Sequence, residues 1–262
     1  MVRIIAGAAG GRALKVPSGL TRPTSDRVRE ALFSLLEARL DGRGGWAGKR
    51  VLDLYAGSGA VALEALSRGA ACALAVDSSP AAIRAAKANA TALDLAERLA
   101  FQLGRVEQVV SGPRLPARLA KPAPDPSPAG GAVSGGFDLV FLDPPYDLAP
   151  AAVNAVLASL AAPSGPGGRP PWLVGGALVV LERSVRSPAP EWPADWEDLG
   201  TRKYGDTALH LARAGDLAPG DGDMNRGVAT VAITRDGRTA SDRARAGSGR
   251  RKATGRGETE GL

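Results

Sequence analysis

The stretch Lys49 to Ala65, KRVLDLYAGSGAVALEA, constrains the fold more than any other part of the chain. Val51, Leu52 and Leu54 read as a buried strand and Gly57 and Gly59 as a tight turn. Val61, Ala62, Leu63, Ala65 and Leu66 read as the packing residues of a helix that opens at Ala60. Two glycines one residue apart let backbone approach a ligand where a Cβ would clash. The helix start presents free N–H groups beside them. Tyr55, Ala56, Gly57, Ser58 and Gly59 are therefore candidates to line a nucleotide-type pocket.

Gly57-x-Gly59-x-x-Ala62 fits a dinucleotide fingerprint, and Asp77 lies twenty positions after Gly57, where a ribose-binding acid is expected. Asp53 points elsewhere. It is a carboxylate in an apolar strand, where it would repel a pyrophosphate and attract the cationic amino-acid end of S-adenosylmethionine. The Asp-x-x-x-Gly-x-Gly spacing resembles the first motif of Rossmann-like methyltransferases. On this stretch alone NAD, or a plain βα turn without a ligand, stays open.

Order is not expected throughout the 262 residues, because 34 Gly and 20 Pro make up a level at which unstructured segments arise. One cysteine, Cys72, and one histidine, His210, exclude an internal disulfide framework and a zinc cluster of the usual ligands, so no metal is expected. No run of eighteen apolar residues and no signal-peptide pattern is present, which leads to an expected cytoplasmic location. Charge is uneven. Residues 1–50 hold ten Lys/Arg against four Asp/Glu, whereas residues 51–212 hold thirteen against sixteen. A basic arm on a near-neutral body suits a polyanionic partner, and Arg-rich flanks can equally reflect composition alone.

Val2 to Ala6 and the returning Ala13, Leu14 and Val16 predict a small hairpin. Pro23 then holds Arg22 extended, Thr24 or Ser25 can cap a helix, and Val28, Ala31, Leu32, Leu35 and Leu36 form its apolar stripe. Arg3, Arg12, Arg22, Arg27 and Arg29 read either as a phosphate-binding surface or as a solvated face. Cys72 to Val76 predicts a second strand ending on Asp77, and Pro80 opens the next helix. Asp77 or Ser79 can then cap that helix, and Asp77 can be a ribose ligand as well. Ser78 beside it, with Gly104 and Arg105 after the strand Leu99–Leu103, completes the candidate cofactor-binding set.

Residues 112–136 carry six prolines and no apolar period, and are expected to be a flexible insertion. Strands at Phe137–Leu142, Ala177–Glu182 and Ala208–Ala212 follow, with a helix from Ala151 to Leu160. Three regions result: a basic extension over 1–43, a catalytic domain over 44–212, and a tail over 213–262 expected to be disordered. Alternating strands and helices predict an α/β architecture, a mostly parallel sheet with helices on both faces and ligands at its carboxyl edge. Asp53, Gly57, Asp77 and Asp143 all fall at that edge.

Asp143-Pro144-Pro145-Tyr146 carries the chemistry. An exocyclic base amine is a weak nucleophile because its lone pair is delocalised into the ring. If the Asp143 carboxylate and the Pro144 carbonyl each accept one N–H, the nitrogen is drawn towards tetrahedral geometry and its lone pair is freed for in-line attack. Pro144 and Pro145 fix φ and carry no competing N–H. Tyr146 offers a face for the base, worth about 1–3 kcal/mol by stacking. A rigid loop with a packed tyrosine is the plainer alternative.

This sequence resembles amino-group methyltransferases, and further motifs narrow the likeness. They are Arg3-Ile4-Ile5-Ala6-Gly7, Gly11-Arg12, Arg22 to Phe33 (RPTSDRVREALF), Leu52 to Gly59 (LDLYAGSG), Leu63 to Ala70 (LEALSRGA), Phe141 to Tyr146 (FLDPPY) and Lys203 to Thr207 (KYGDT). Together they are similar to the bacterial 16S ribosomal RNA guanine-N2 methyltransferases of the RsmD type. The likeness covers about residues 2–212, and the insertion and tail look foreign to that family. It implies a Rossmann-like fold, S-adenosylmethionine as methyl donor, and methylation of one guanine in 16S RNA of a small subunit or assembly intermediate, by a monomer. Asp77 departs from the glutamate usual there, and Gly104 from a polar residue near the adenine. A DNA adenine-N6 enzyme, an NAD-linked oxidoreductase and a catalytically silent RNA-binding assembly factor are the alternatives.

Overall fold

The computed structural model describes residues 2–17, 26–40, 44–112, 136–163 and 171–215. At its centre lies β3 (Arg50–Leu54), buried at all five positions. Neighbours β4 (Cys72–Asp77), β5 (Leu99–Leu103), β6 (Phe137–Leu142) and β7 (Leu173–Ser184) run parallel to it. Two further strands, β8 (Glu197–Tyr204) and β9 (Thr207–Arg213), are antiparallel, giving the order β5-β4-β3-β6-β7-β9-β8. Strand order reverses between β3 and β6, and a crevice for ligands opens at the carboxyl ends of such a pair.

A parallel sheet must be covered on both faces, and alternate residues supply both cores. Val51, Ala73 and Ala75 join Leu63 and Leu66 of α2 (Ala60–Ser67), Ala90 of α3 (Pro80–Ala92) and Leu32, Phe33 and Leu36 of α1 (Asp26–Leu40). On the opposite face, Leu52, Leu54, Leu74 and Val76 pack with Val106 and Val110 of α4 (Val106–Ser111) and Val156, Leu157 and Leu160 of α5 (Pro150–Ala161).

The amino-terminal extension is part of the first core and not a lobe of its own. Its hairpin of β1 (Val2–Arg3) and β2 (Ala13–Leu14) is shorter than expected. The buried Glu64 carboxylate accepts hydrogen bonds from Ile5 N (2.6 Å) and Ala6 N (3.0 Å). Ser67 Oγ accepts from Ala9 N at 2.9 Å. Gly7, at φ 82°, passes so close to the Ser67 carbonyl that any Cβ would collide with it. Asn89 of α3 clasps Lys15, accepting from its N–H (2.8 Å) and donating to its carbonyl (2.9 Å).

Other boundaries also move. The predicted Ala177–Glu182 strand runs from Leu173 to Ser184. The whole of β8 was not anticipated, because Glu197, Asp198, Thr201, Arg202 and Lys203 leave no apolar alternation on this edge strand. Order does not stop at 212: Ala214 is buried, donates to the Ala177 carbonyl (2.8 Å) and accepts from Gly176 N (3.1 Å). The expected cap at Thr24 or Ser25, the insertion at 113–135 and the tail from 216 onward lie outside the described residues. Among the described residues no helix is long and apolar enough to cross a membrane.

Candidate active site

The loop after β3 is held in a conformation that few residues adopt. Tyr55, Gly57 and Gly59 have φ of 62°, 55° and 76°, the left-handed region that costs a side chain free energy unless its surroundings enforce it. Tyr55 is enforced by its hydroxyl, which donates to Glu107 Oε1 at 3.0 Å. Burial and the Glu107 charge push that phenol's pKa up, so it stays a donor. At Gly59 a Cβ would come within 3.1 Å of Ala86 Cβ, so α3 would have to give by a few tenths of an ångström, at a φ that side chains rarely adopt.

Asp77, at the end of β4, joins two turns. Its Oδ2 accepts from Gly57 N at 2.8 Å and its Oδ1 from Ser79 N at 2.7 Å. Ser79 caps α3 by accepting from Ala82 N at 3.3 Å. A carboxylate oxygen accepts more than one hydrogen bond, so bracing the loop does not exhaust Asp77. Asp53 Oδ2 accepts from Ala62 N at 3.0 Å and so fixes the first turn of α2. Burial raises the Asp53 pKa well above the ordinary carboxylate range; the Ala62 N–H opposes this, and the Asp143 and Asp77 charges add to it.

The Asp143-Pro144-Pro145-Tyr146 segment leaves β6 beside β3, with Asp143 N donating to the Leu54 carbonyl at 3.3 Å. The Pro145 carbonyl accepts from Leu148 N at 3.0 Å and from Arg183 Nη1 at 3.1 Å, and Arg183 Nη2 donates to the Leu148 carbonyl at 3.0 Å. Arg183 is a buried residue of β7, so the loop is pinned from within the sheet. Pro144 is buried, whereas the Tyr146 side chain is 58% exposed and able to meet a planar group.

These parts enclose one cleft of about 480 Å3, a size suited to a nucleoside-sized ligand. Asp53, Tyr55, Ala56, Gly57, Ser58, Asp77, Ser78, Asp143, Pro144, Pro145 and Tyr146 all line it. Gly59, Gly104 and Arg105 do not. Gly104 N donates to the Asp77 carbonyl at 3.0 Å, and Arg105 is exposed beside Glu107 at 3.5 Å. Val16, Ala60, Val61, Ser79 and Phe141 also line the cleft, although the sequence pointed to them only as parts of strands, turns and helices and not as site residues. Among the described residues no three His, Cys, Asp or Glu are grouped so as to hold a metal ion.

Of the arginines read as a phosphate-binding surface, Arg3, Arg12 and Arg27 are exposed and Arg22 lies outside the described residues. Arg12 donates to the Ala92 carbonyl and lies 3.7 Å from Asp94. Arg29 corrects the expectation: it is 1% exposed and lines the cleft. The buried face of α1 is Val28, Arg29, Leu32, Phe33, Leu36 and Leu40. Position 29 stands three and four residues before Leu32 and Phe33, a spacing that places it on the core face. That was the available signal.

Comparison with known proteins bears on the family and the fold. The family model described as conserved hypothetical protein 95 matches residues 2–213. Ribosomal RNA small subunit methyltransferase D of Escherichia coli is 31% identical over 226 residues, 85% of this chain and 94% of the relative. Among solved structures, Escherichia coli yhhF superposes with a TM-score of 0.62 at 29% identity, covering 82% of this chain and 98% of that one. A hypothetical protein of Thermus thermophilus superposes with a TM-score of 0.57 at 33% identity, covering 80% and 98%. With that identity and coverage, this chain belongs to the ribosomal RNA small subunit methyltransferase D family.

Proposed function

We propose that this protein, acting as a monomer in the cytoplasm, methylates the exocyclic 2-amino group of a guanine in small-subunit ribosomal RNA, with S-adenosylmethionine as methyl donor. The observation that carries the reading is the cleft itself, where Asp53, Asp77 and Asp143 meet between a glycine loop and an Asp-Pro-Pro-Tyr segment. Three carboxylates repel a pyrophosphate and favour a cationic ligand; burial raises the Asp53 pKa first, and the Asp143 and Asp77 charges add to it. The donor, once bound, supplies an electrophilic methyl group on a positively charged sulfur.

The chain's own residues would do the rest. Gly57, Ser58 and Asp77 would cradle the nucleoside portion, and Asp53 would face the ammonium of the amino-acid end. Tyr146 would stack on the target base. The Asp143 carboxylate and the Pro144 carbonyl would each accept an N–H of the amine, holding its lone pair towards the methyl carbon. Among the described residues the Pro144 carbonyl takes no hydrogen bond, while Arg183 and Leu148 occupy that of Pro145. After transfer the methylated amine sheds its proton to Asp143 or water. A guanine presents N1–H and the 2-amino group side by side, a pair of donors that one carboxylate can accept together.

Radiolabelled methyl transfer compares the substrates directly. Label should enter RNA of small ribosomal subunits and not duplex DNA. Transfer to DNA alone would favour an adenine-N6 enzyme, and donor binding without transfer to either would favour a silent assembly factor.

A further inference from the structure

Arg29 is the one cation among the described residues that line a cleft otherwise charged by Asp53, Asp77 and Asp143. It is not neutralised by them. Its Nη2 pairs with Asp26 Oδ1 at 2.9 Å and donates to the Arg3 carbonyl. Nε and Nη1 are buried and have no hydrogen-bond partner among the described residues. These two nitrogens carry three N–H groups. Leaving such donors of a charged group both buried and unmet is costly, and a guanidinium presents them as a planar fork suited to a carboxylate.

An RNA phosphate does not fit the position, because Arg29 is 1% exposed and lies within a nucleoside-sized cleft. The amino-acid end of the donor does fit: it carries an ammonium and a carboxylate on one carbon, and the cleft offers acids together with one arginine. Resting on the donor assigned above, we infer that Arg29 binds the carboxylate of the methyl donor's amino-acid end while the acids of the cleft hold its ammonium. The extension helix α1 thus contributes a positioning residue to the donor site, and Asp26 orients it. In this arrangement the amino-terminal extension completes the cofactor site besides carrying exposed arginines.

Titration of the full chain with two nucleosides tests this. S-adenosylhomocysteine has the amino-acid end, and 5′-methylthioadenosine lacks it. Wild type should prefer S-adenosylhomocysteine. Arg29→Gln should weaken S-adenosylhomocysteine by about 10- to 100-fold, the range of one charged hydrogen-bonding contact, and leave 5′-methylthioadenosine unchanged. Arg29→Lys keeps the charge and the reach to Asp26 but not the fork, so it should give an intermediate loss. It also serves if the Gln variant proves unfolded by thermal denaturation. Equal weakening of both nucleosides, or an unchanged preference accompanied by weaker RNA binding, would overturn the assignment. If wild type bound neither nucleoside, the proposed function itself would fail, and this inference with it.

Discussion

Arg183 Nη1 donates to the Pro145 carbonyl at 3.1 Å, tying an interior strand to the loop that carries the candidate acceptors. The second prong, to Leu148, spans the turn that follows. Neither contact involves the donor side of the cleft. Arg183→Lys keeps a charge but cannot reach both carbonyls, so the loop should shift by fractions of an ångström. Misplacement of this kind costs on the order of 10- to 100-fold in rate. Single-turnover transfer should fall by that much with S-adenosylhomocysteine affinity within twofold of wild type. Equal loss of rate and affinity would show a general collapse of the site.

Asp53 should make the site less stable than it could be. Burial raises its pKa above the value in the unfolded chain, so its stabilising contribution is full below the ordinary carboxylate pKa and is lost as pH rises through the raised value. Asp53→Asn retains an acceptor for Ala62 N–H and removes the buried charge. Its Tm at neutral pH should equal or exceed wild type, while S-adenosylhomocysteine binds more weakly. A large drop in Tm would mean that the charge, and not the acceptor, holds α2.

His210 provides a separate handle on pH. Its Nδ1 lies 2.9 Å from Thr201 Oγ1, and its buried Nε2 has no hydrogen-bond partner among the described residues. Burial lowers its pKa below the ordinary 6.5. The unfolded chain therefore takes up the proton first, and stability present above pH 6.5 is lost as pH falls towards the depressed folded value. Denaturant melts from pH 8 to 5.5 should show this loss, and His210→Gln should flatten it. A variant with the wild-type slope would place the titrating group elsewhere.

Much of this architecture was legible because a parallel sheet writes itself in unbroken apolar runs. Val51–Leu54, Ala73–Val76 and Leu139–Leu142 are buried almost throughout, and each ends at an acid or turn that lies at the cleft. Local chemistry likewise gave away Ser79 and Pro80 as the start of α3. What escaped depended on tertiary context. β8 is polar on a sheet edge. Arg183 sits in an apolar strand and acts through carbonyls 38 and 35 residues away in sequence. Arg29 looks like a surface charge until its helix face is counted from Leu32 and Phe33.

Arg3, Arg12, Arg22 and Arg27 of the extension are expected to meet RNA, and the buried Arg29 is not. Arg22→Gln with Arg27→Gln should make the log–log salt dependence of RNA binding shallower by about one and a half units, taking about 0.7 to 0.9 per phosphate. S-adenosylhomocysteine binding should stay unchanged. Filter binding over a salt series reads this directly. An unchanged slope would assign those side chains to the protein's own packing.

The central claim is that Asp143 presents a guanine 2-amino group to the methyl donor. The most direct measurement is to methylate small-subunit RNA under single-turnover conditions, digest it to nucleosides and identify the product by mass spectrometry. Wild type should yield N2-methylguanosine. Asp143→Ala should yield the same nucleoside about 10²–10³ times more slowly, with S-adenosylhomocysteine affinity nearly unchanged. Methyl-labelled adenosine or cytidine, a methyl group elsewhere on guanosine, or an Asp143→Ala rate equal to wild type would contradict the account.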